Sequence, residues 1–352
     1  MAVKVLVIDD SAFMRRVIVS ILERDPEIQV VGYARNGVEG LAKIEKLKPD
    51  VVTLDIEMPE MDGLETLKRI MSTNPLPVVM LSAHTTEGAF LTMRALELGA
   101  LDFVGKPEGK NGIEMLSEEL PRKIKVATVA RINRNVELSR TPSRMIPREQ
   151  SISRPSSPIE AVGIAASTGG PTALQKVLVS VPSGIMAGIV VVQHMPRGFT
   201  GPFANRLNEL CRLEVKEASQ NDEVRPGRVL IAPAGYQMEF KRTGAVVTVN
   251  ITEDQGKKSL YKPSADIMFR SLAKAYGNRS LAVILTGMGN DGTEGLKEIK
   301  AARSLVLAQD KSSCIVFGMP KSAIEAGVVD RVVPLSDMAS TIVDLVQRES
   351  RK

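Results

Sequence analysis

The chain of 352 residues carries only two cysteines and two histidines. Cys211 and Cys314 lie far apart and form no C-x-x-C pattern. This argues against structural disulfides and zinc, and for thiols used as small apolar fillers in a reducing compartment. Long hydrophobic runs are missing as well. The longest apolar stretch, around Ile185 to Val192, falls far short of the roughly 20 residues a membrane-spanning helix requires. The opening MAVKVLVIDDSAF runs at once into Asp9 and Asp10, so it lacks the h-region and small-residue cleavage site of a signal peptide. The expectation is a cytoplasmic protein with no direct membrane insertion.

What is present fits a soluble globular chain: 43% of residues are hydrophobic and 25% charged, and the length suits two domains that each bury a core. The net charge is +5. Much of that excess sits in one segment with Arg131, Arg134, Arg140, Arg144, Arg148 and Arg154, interleaved with Ser and Pro. The basic balance therefore marks a tether rather than a nucleic-acid-binding face.

Before the tether, apolar strands alternate with amphipathic helices: KVLVIDD, IQVVGYA, DVVTLDI, PVVMLSA and LDFVGKP are separated by segments such as AFMRRVIVSILERD and GVEGLAKIEKLK. Continuous apolar strands with intervening helices predict a parallel sheet covered on both faces. After the tether the alternation resumes with AVGIAA, AGIVVVQHM, RVLIAP, AVVTVN, LAVILTGMG and SLVLAQD. The expected organisation is a doubly wound, flavodoxin-like five-stranded domain over residues 1–124, a linker over 125–158, and a second, Rossmann-like α/β domain with a mostly parallel sheet over 159–352.

Asp9 and Asp10 end the first strand, Asp55 ends the third, and Lys106 follows the fifth. In a doubly wound sheet these positions converge at the carboxyl edge, where ligands bind. Crowded carboxylates repel one another unless a cation intervenes, and a hard divalent ion such as Mg²⁺ suits oxygen donors. One such Asp would ordinarily be a helix cap; three with a lysine form a pocket. VIDD, LDIEMPEMDG, LSA and DFVGKP make this half resemble the receiver domain of two-component response regulators. The resemblance implies that Asp55 accepts a phosphoryl group from a histidine kinase, with Asp10, Asp55 and the Glu57 carbonyl around Mg²⁺. It also implies that Ser82 and Lys106 contact the phosphoryl oxygens. Phe103 stands at the family's rotating aromatic and brings no hydroxyl.

In the second half, VGIAASTGGP places Ser167 at the end of an apolar strand, and His194 follows GIVVVQ. Asp291 follows LAVILTGMGN. Taken singly these are a helix cap, a surface imidazole and a turn residue. Together they are the hydroxyl, base and orienting carboxylate of a Ser/His/Asp hydrolase, delivered to one rim. The chain order Ser, His, Asp and the lack of a G-x-S-x-G elbow match none of the commonest triad families.

GIAASTGGP, VVQHMP and LTGMGNDG resemble the catalytic domain of the CheB family of chemotaxis protein-glutamate methylesterases. With the receiver, that likeness covers almost the whole chain. It implies that Ser167 is the nucleophile, His194 the general base and acid, and Asp291 its partner. The Met288 N–H would serve the oxyanion, and Thr168 would line the site. The resemblance further implies hydrolysis of glutamyl methyl esters on the cytoplasmic helices of chemoreceptors, with methanol released and no cofactor in the catalytic half. Deamidation of receptor glutamines is compatible with the same chemistry, and phosphorylation of the receiver would relieve its hindrance of the catalytic rim. Two other classes remain open on the residues alone. The STGGP turn is a Gly-rich strand-to-helix turn of the sort that cradles phosphates, though it fits neither nucleotide fingerprint. Many receivers carry DNA-binding outputs, though no helix-turn-helix follows the tether.

Overall fold

The computed structural model describes residues 2–83, 85–107, 109–137, 157–253 and 261–347. His84 and residues 138–156 of the expected linker lie outside the described residues. The chain divides into two compact units, Met1–Thr141 and Pro142–Lys352.

In the first unit, strands β1 (Val3–Ile8), β2 (Ile28–Ala34), β3 (Val51–Asp55), β4 (Val78–Ser82) and β5 (Asp102–Gly105) form one parallel sheet in the order β2-β1-β3-β4-β5. Helices α1 (Ala12–Leu22), α2 (Gly37–Leu47), α3 (Gly63–Thr73) and α4 (Thr86–Glu97) connect them. Ser11, Asn36, Asp62 and Thr85 cap these helices, each side chain accepting a backbone N–H from the first turn, which satisfies donors the helix leaves orphaned. Strands β3 and β4 are buried along their whole length, as a sheet covered on both faces demands. The last helix, α5 (Gly109–Glu137), continues past residue 124. Its buried face, Leu116, Leu120, Ile124 and Ala127, keeps helical spacing across that expected boundary.

The second unit is built on a seven-stranded parallel sheet. Its strands are β6 (Ala161–Ala166), β7 (Gly188–Gln193), β8 (Glu214–Glu217), β9 (Arg228–Ile231), β12 (Ser280–Ile284), β13 (Leu305–Gln309) and β14 (Arg331–Val333), in the order β14-β13-β12-β6-β7-β9-β8. The chain leaves β6 toward β7 on one side and returns to β12 on the other, so the strand order reverses beside β6. That switch point opens a crevice at the carboxyl ends of the strands. Helices α6 (Gly170–Val179), α7 (Thr200–Leu210), α8 (Ala265–Tyr276), α9 (Thr293–Ala301), α10 (Met319–Glu325) and α11 (Leu335–Gln347) complete the unit.

AVVTVN does not join the parallel sheet: it lies in β11 (Val246–Thr252), which pairs antiparallel with β10 (Gln237–Thr243). The reason is its period of two. Met238, Phe240, Val247 and Val249 turn inward against Met268, Phe269 and Leu272 of α8, while Glu239, Lys241 and Thr248 do not. One-faced burial suits an antiparallel ribbon; a strand of the parallel sheet needs apolar residues on both faces. Among the described residues no helix is long and apolar enough to cross a membrane.

Helix α8 joins the hairpin to the sheet, and Phe269, with no exposed surface, is the largest fully buried side chain in that contact. Replacing Phe269 by Ala is expected to cost about 3–5 kcal/mol, read as a fall in the urea midpoint with little change in slope; an unchanged midpoint would contradict the packing.

Candidate functional site

Three adjacent strands of the second unit supply the site. Ser167 follows β6 and His194 follows β7, and the last in-register pair of these strands is Ala166 with Gln193. Ser167 and His194 are therefore the next positions on neighbouring strands about 4.8 Å apart. The His194 N–H continues the ladder to the Ala166 carbonyl at 3.1 Å. Asp291 comes from the loop after β12, the strand on the other flank of β6.

The Asp291 carboxylate is 5% exposed and fully engaged. His194 Nε2 lies 2.8 Å from Oδ2, and the Ser264 hydroxyl donates to Oδ1 at 2.9 Å. The Ala265 N–H donates to Oδ2 at 2.7 Å and the Asp266 N–H to Oδ1 at 3.1 Å. Ser264 is the N-cap of α8, so the carboxylate occupies the amino terminus of a helix that is not its own, where free N–H groups and the macrodipole favour an anion. Burial opposes its ionisation, but His194 and the two backbone donors outweigh that and hold the carboxyl below the usual carboxylate range.

An ionised Asp291 fixes the proton on Nε2 and leaves the lone pair on Nδ1. That nitrogen is buried with no hydrogen-bond partner among the described residues, the Ser167 hydroxyl included. Nδ1 is thus the ring position able to take a proton from an adjoining alcohol. In the chymotrypsin arrangement the carboxylate holds Nδ1; here it holds Nε2 instead. No hydroxyl-to-ring hydrogen bond is formed in this structure, and rotation of the serine about χ1 is the motion that would make one.

The turn carrying Ser167 is clamped from beneath. Buried Gln193 donates its Nε2 to the Ser167 carbonyl at 2.9 Å and to the His194 carbonyl at 3.0 Å. A Cβ on Gly170 would lie 1.9 Å from Gln193 Oε1, so only glycine admits that amide. A Cβ on Gly287 would lie 2.9 Å from the Cβ of Ser167. Helix α6 opens at Gly170, with Gly169 in the left-handed region at φ 73°. Thr168 is buried and its carbonyl accepts the Thr286 hydroxyl at 3.0 Å. The Met288 N–H makes no hydrogen bond among the described residues. Burial pushes the Cys211 thiol up to about 11 and the Cys314 thiol higher still, so neither rivals the serine as a nucleophile.

Four residues outside the expected set join the site. Gln193 adjoins His194 in sequence, and its place in VVQH is the one signal that could have singled it out. Ser264 is legible as a helix cap, although not as a partner of Asp291. Tyr261 stacks on His194 with ring centroids 4.3 Å apart and planes within 1°. Gln237, 2% exposed, receives the Ser264 N–H and donates to the Tyr261 carbonyl. Nothing in the sequence points from β10 to the triad.

In the first unit, ligand oxygens of Asp9, Asp10 and Asp55 lie within 4.8 Å of one another. Lys106 Nζ sits 2.7 Å from Asp55 Oδ2 and 3.7 Å from Asp9 Oδ2. Burial, then the Asp55 charge, pushes Asp9 up to about 6, and burial raises Asp55 against the pull of Lys106. One ammonium thus leaves the cluster short of positive charge, and a hard divalent cation fits the all-oxygen donor set. A cleft lined by Asp10, Glu57 and Met58 adjoins it. Ser82 is engaged elsewhere: its hydroxyl donates to the Gly88 carbonyl at 3.1 Å and accepts from Thr92 at 2.7 Å. Phe103 is buried in β5 with Lys123 Nζ 5.4 Å from its ring centroid.

An acidic pocket at the switch point of a five-stranded receiver sheet makes the chain a response regulator, and its second unit is that of a hydrolase. Residues 5–116 match the response regulator receiver domain, and residues 162–342 match the CheB methylesterase domain. The protein-glutamate methylesterase/protein-glutamine glutaminase of Moorella thermoacetica is 44% identical over 98% of both chains. That of Halalkalibacterium halodurans is 46% identical over 98% of this chain and 99% of its own. The crystal structure of the Thermotoga maritima CheB methylesterase catalytic domain covers 54% of this chain and all of its own, with 40% identity and a TM-score of 0.52. The chain belongs to the CheB methylesterase family. Of the classes the residues left open, this selects the ester hydrolase.

The raised Asp9 gives a pH test. A carboxyl that binds its proton more tightly folded than unfolded stabilises the fold at low pH and loses that contribution as pH rises through about 4 to 6. Without divalent metal, Asp9→Asn is therefore expected to gain melting temperature relative to wild type between pH 4.5 and 7.5. A constant difference across that range would show that the crowding is relieved in solution.

Proposed function

We propose that this protein is a phosphorylation-activated, cytoplasmic esterase that removes methyl groups from glutamyl esters on the cytoplasmic helices of chemoreceptors, releasing methanol. The observation that carries the chemistry is the His194–Asp291 hydrogen bond at 2.8 Å, which leaves Nδ1 without a partner among the described residues. Ser167 Oγ bonds to the ester carbonyl carbon as its proton passes to Nδ1. The tetrahedral oxyanion collapses, the methoxide leaves with the proton from Nδ1, and a glutamyl ester of Ser167 remains. Water, deprotonated by the same nitrogen, then cleaves that ester, returning Glu and the free serine. The Met288 N–H is the proposed oxyanion donor, a contribution of about 2.7–4 kcal/mol in comparable sites, with Thr168 lining the pocket. A glutamine side chain would pass through the same oxyanion and release ammonia, and the relatives are named for both activities.

Asp55 is the proposed phosphoryl acceptor, with a chemotaxis histidine kinase as donor. Asp9, Asp10, Asp55 and the Glu57 carbonyl would hold Mg²⁺, which supplies charge neutralisation for an incoming phosphoryl group. Lys106 neutralises the phosphoryl oxygens. Ser82 reaches them only by giving up its bonds to α4, which links phosphorylation to a change in that helix. Phe103 is the proposed switch aromatic. Neither nucleic acid nor a bilayer is a partner in this reading.

On methyl-labelled receptor membranes, Ser167→Ala is expected to lower methanol release at least about a thousandfold, and near-wild-type release would end the nucleophile assignment. For Asp55→Asn, unstimulated release should persist while a small phosphodonor with Mg²⁺ adds nothing. A full response would move the phosphosite elsewhere.

A further inference from the structure

Tyr261 lies against the imidazole with its ring parallel to within 1° and its centroid 4.3 Å away. Neutral aromatic pairs favour edge-to-face or offset contacts at centroid separations of roughly 4.5–7 Å. Parallel planes at 4.3 Å make such an offset stack, and it strengthens when one ring becomes a cation, because the negative face of a phenol attracts positive charge above it. His194 becomes such a cation each time it takes the serine or water proton.

The stack is built into the fold. Gln237 donates its Nε2 to the Tyr261 carbonyl at 2.9 Å and accepts the Ser264 N–H on Oε1 at 2.8 Å. The Gly235 N–H holds the Lys262 carbonyl at 2.9 Å. Ser264 in turn donates to Asp291. One buried amide therefore sets both the ring that backs the imidazole and the cap that anchors its carboxylate. Gly289, at φ 82°, leaves room for the phenol, since a Cβ there would stand 3.2 Å from the Tyr261 oxygen.

We propose that Tyr261 is a positioning residue for ester hydrolysis: its face holds the plane of His194 so that Nε2 stays on Asp291 and Nδ1 faces Ser167, and it stabilises the imidazolium formed in both halves of the reaction. This rests on the assignment of Ser167 and His194 made above. The ring acts through the imidazole and needs no contact with substrate, so its removal should lower kcat and leave KM in place.

The experiment uses the full chain, stimulated with a small phosphodonor and Mg²⁺, on methyl-labelled receptor membranes of varied concentration. Tyr261→Leu is expected to reduce kcat roughly three- to thirtyfold with KM within about twofold of wild type. Tyr261→Phe keeps the face and loses the hydroxyl, and should restore most of that loss. Three results would overturn the proposal. Tyr261→Leu could keep kcat within about twofold. Tyr261→Phe could fall as far as Leu, which would place the effect in the hydroxyl. The Leu variant could lose melting temperature and raise KM along with its lower kcat, which would make Tyr261 a packing residue. Ser167→Ala in the same assay separates the two levels. If it is inactive and Tyr261→Leu is normal, only the stack is refuted; if it stays active, the triad assignment itself is wrong.

Discussion

A single buried carboxylate, Asp291 at the amino terminus of α8, is the constraint on which the catalytic unit turns. It can be ionised at 5% exposure because a hydroxyl, two backbone N–H groups and an imidazole surround it. Remove those donors and burial would favour the neutral acid, which would no longer polarise the Nε2 proton. The position of α8 is set in turn by its packing against β10 and β11, so a hairpin outside the main sheet governs the protonation state of a residue that follows β12. The ionisation of Asp291 is thus a consequence of core packing several residues away.

The parallel sheet supplies the second requirement, which is nearness. Every strand of this sheet points its carboxyl end toward the same edge, and adjacent strands are spaced by their hydrogen bonds. The segments that follow β7, β6 and β12 are brought to one edge for that reason, although Ser167 and Asp291 are separated in sequence by most of the unit. Glycines at 169, 170 and 287 then let the turns approach one another. At Gly170 and Gly287 a side chain would strike Gln193 and Ser167 directly.

This division explains what the sequence made legible. Ser167 and His194 directly follow continuous apolar runs and Asp291 lies in the loop after a third, and such runs predict parallel strands whose ends coincide; the same logic gathers Asp9, Asp55 and Lys106. The doubly wound first unit and the mostly parallel second sheet were readable from that alternation, and the structure bears both out. Tyr261, Gln237 and Ser264 carried no such signal, because what brings them to the triad is the docking of a hairpin and a helix cap across tertiary space. The choice of ring nitrogen was equally hidden. It depends on which side of the imidazole Asp291 approaches, and no spacing encodes that. Helix α5 runs past residue 124 despite Pro121, with Leu116, Leu120, Ile124 and Ala127 among its buried residues.

The two acidic sites show one side chain used in opposite ways. Asp291 is driven below the usual carboxylate range by donors aimed at it, so its negative charge is stable as it stands and, in the proposed function, would orient a base. Asp9 and Asp55 are driven above that range by burial, with a neighbouring carboxylate adding to the rise at each, and Lys106 offsets only part of it. A site of the first kind has no use for a cation. A site of the second kind is unfinished without one, and any group that changes its charge changes the balance among Asp9, Asp55 and Lys106. In the proposed function that is the electrostatic condition for a switch: the pocket with uncompensated charge would respond to modification, while the fully compensated one would perform the same proton transfers in every turnover.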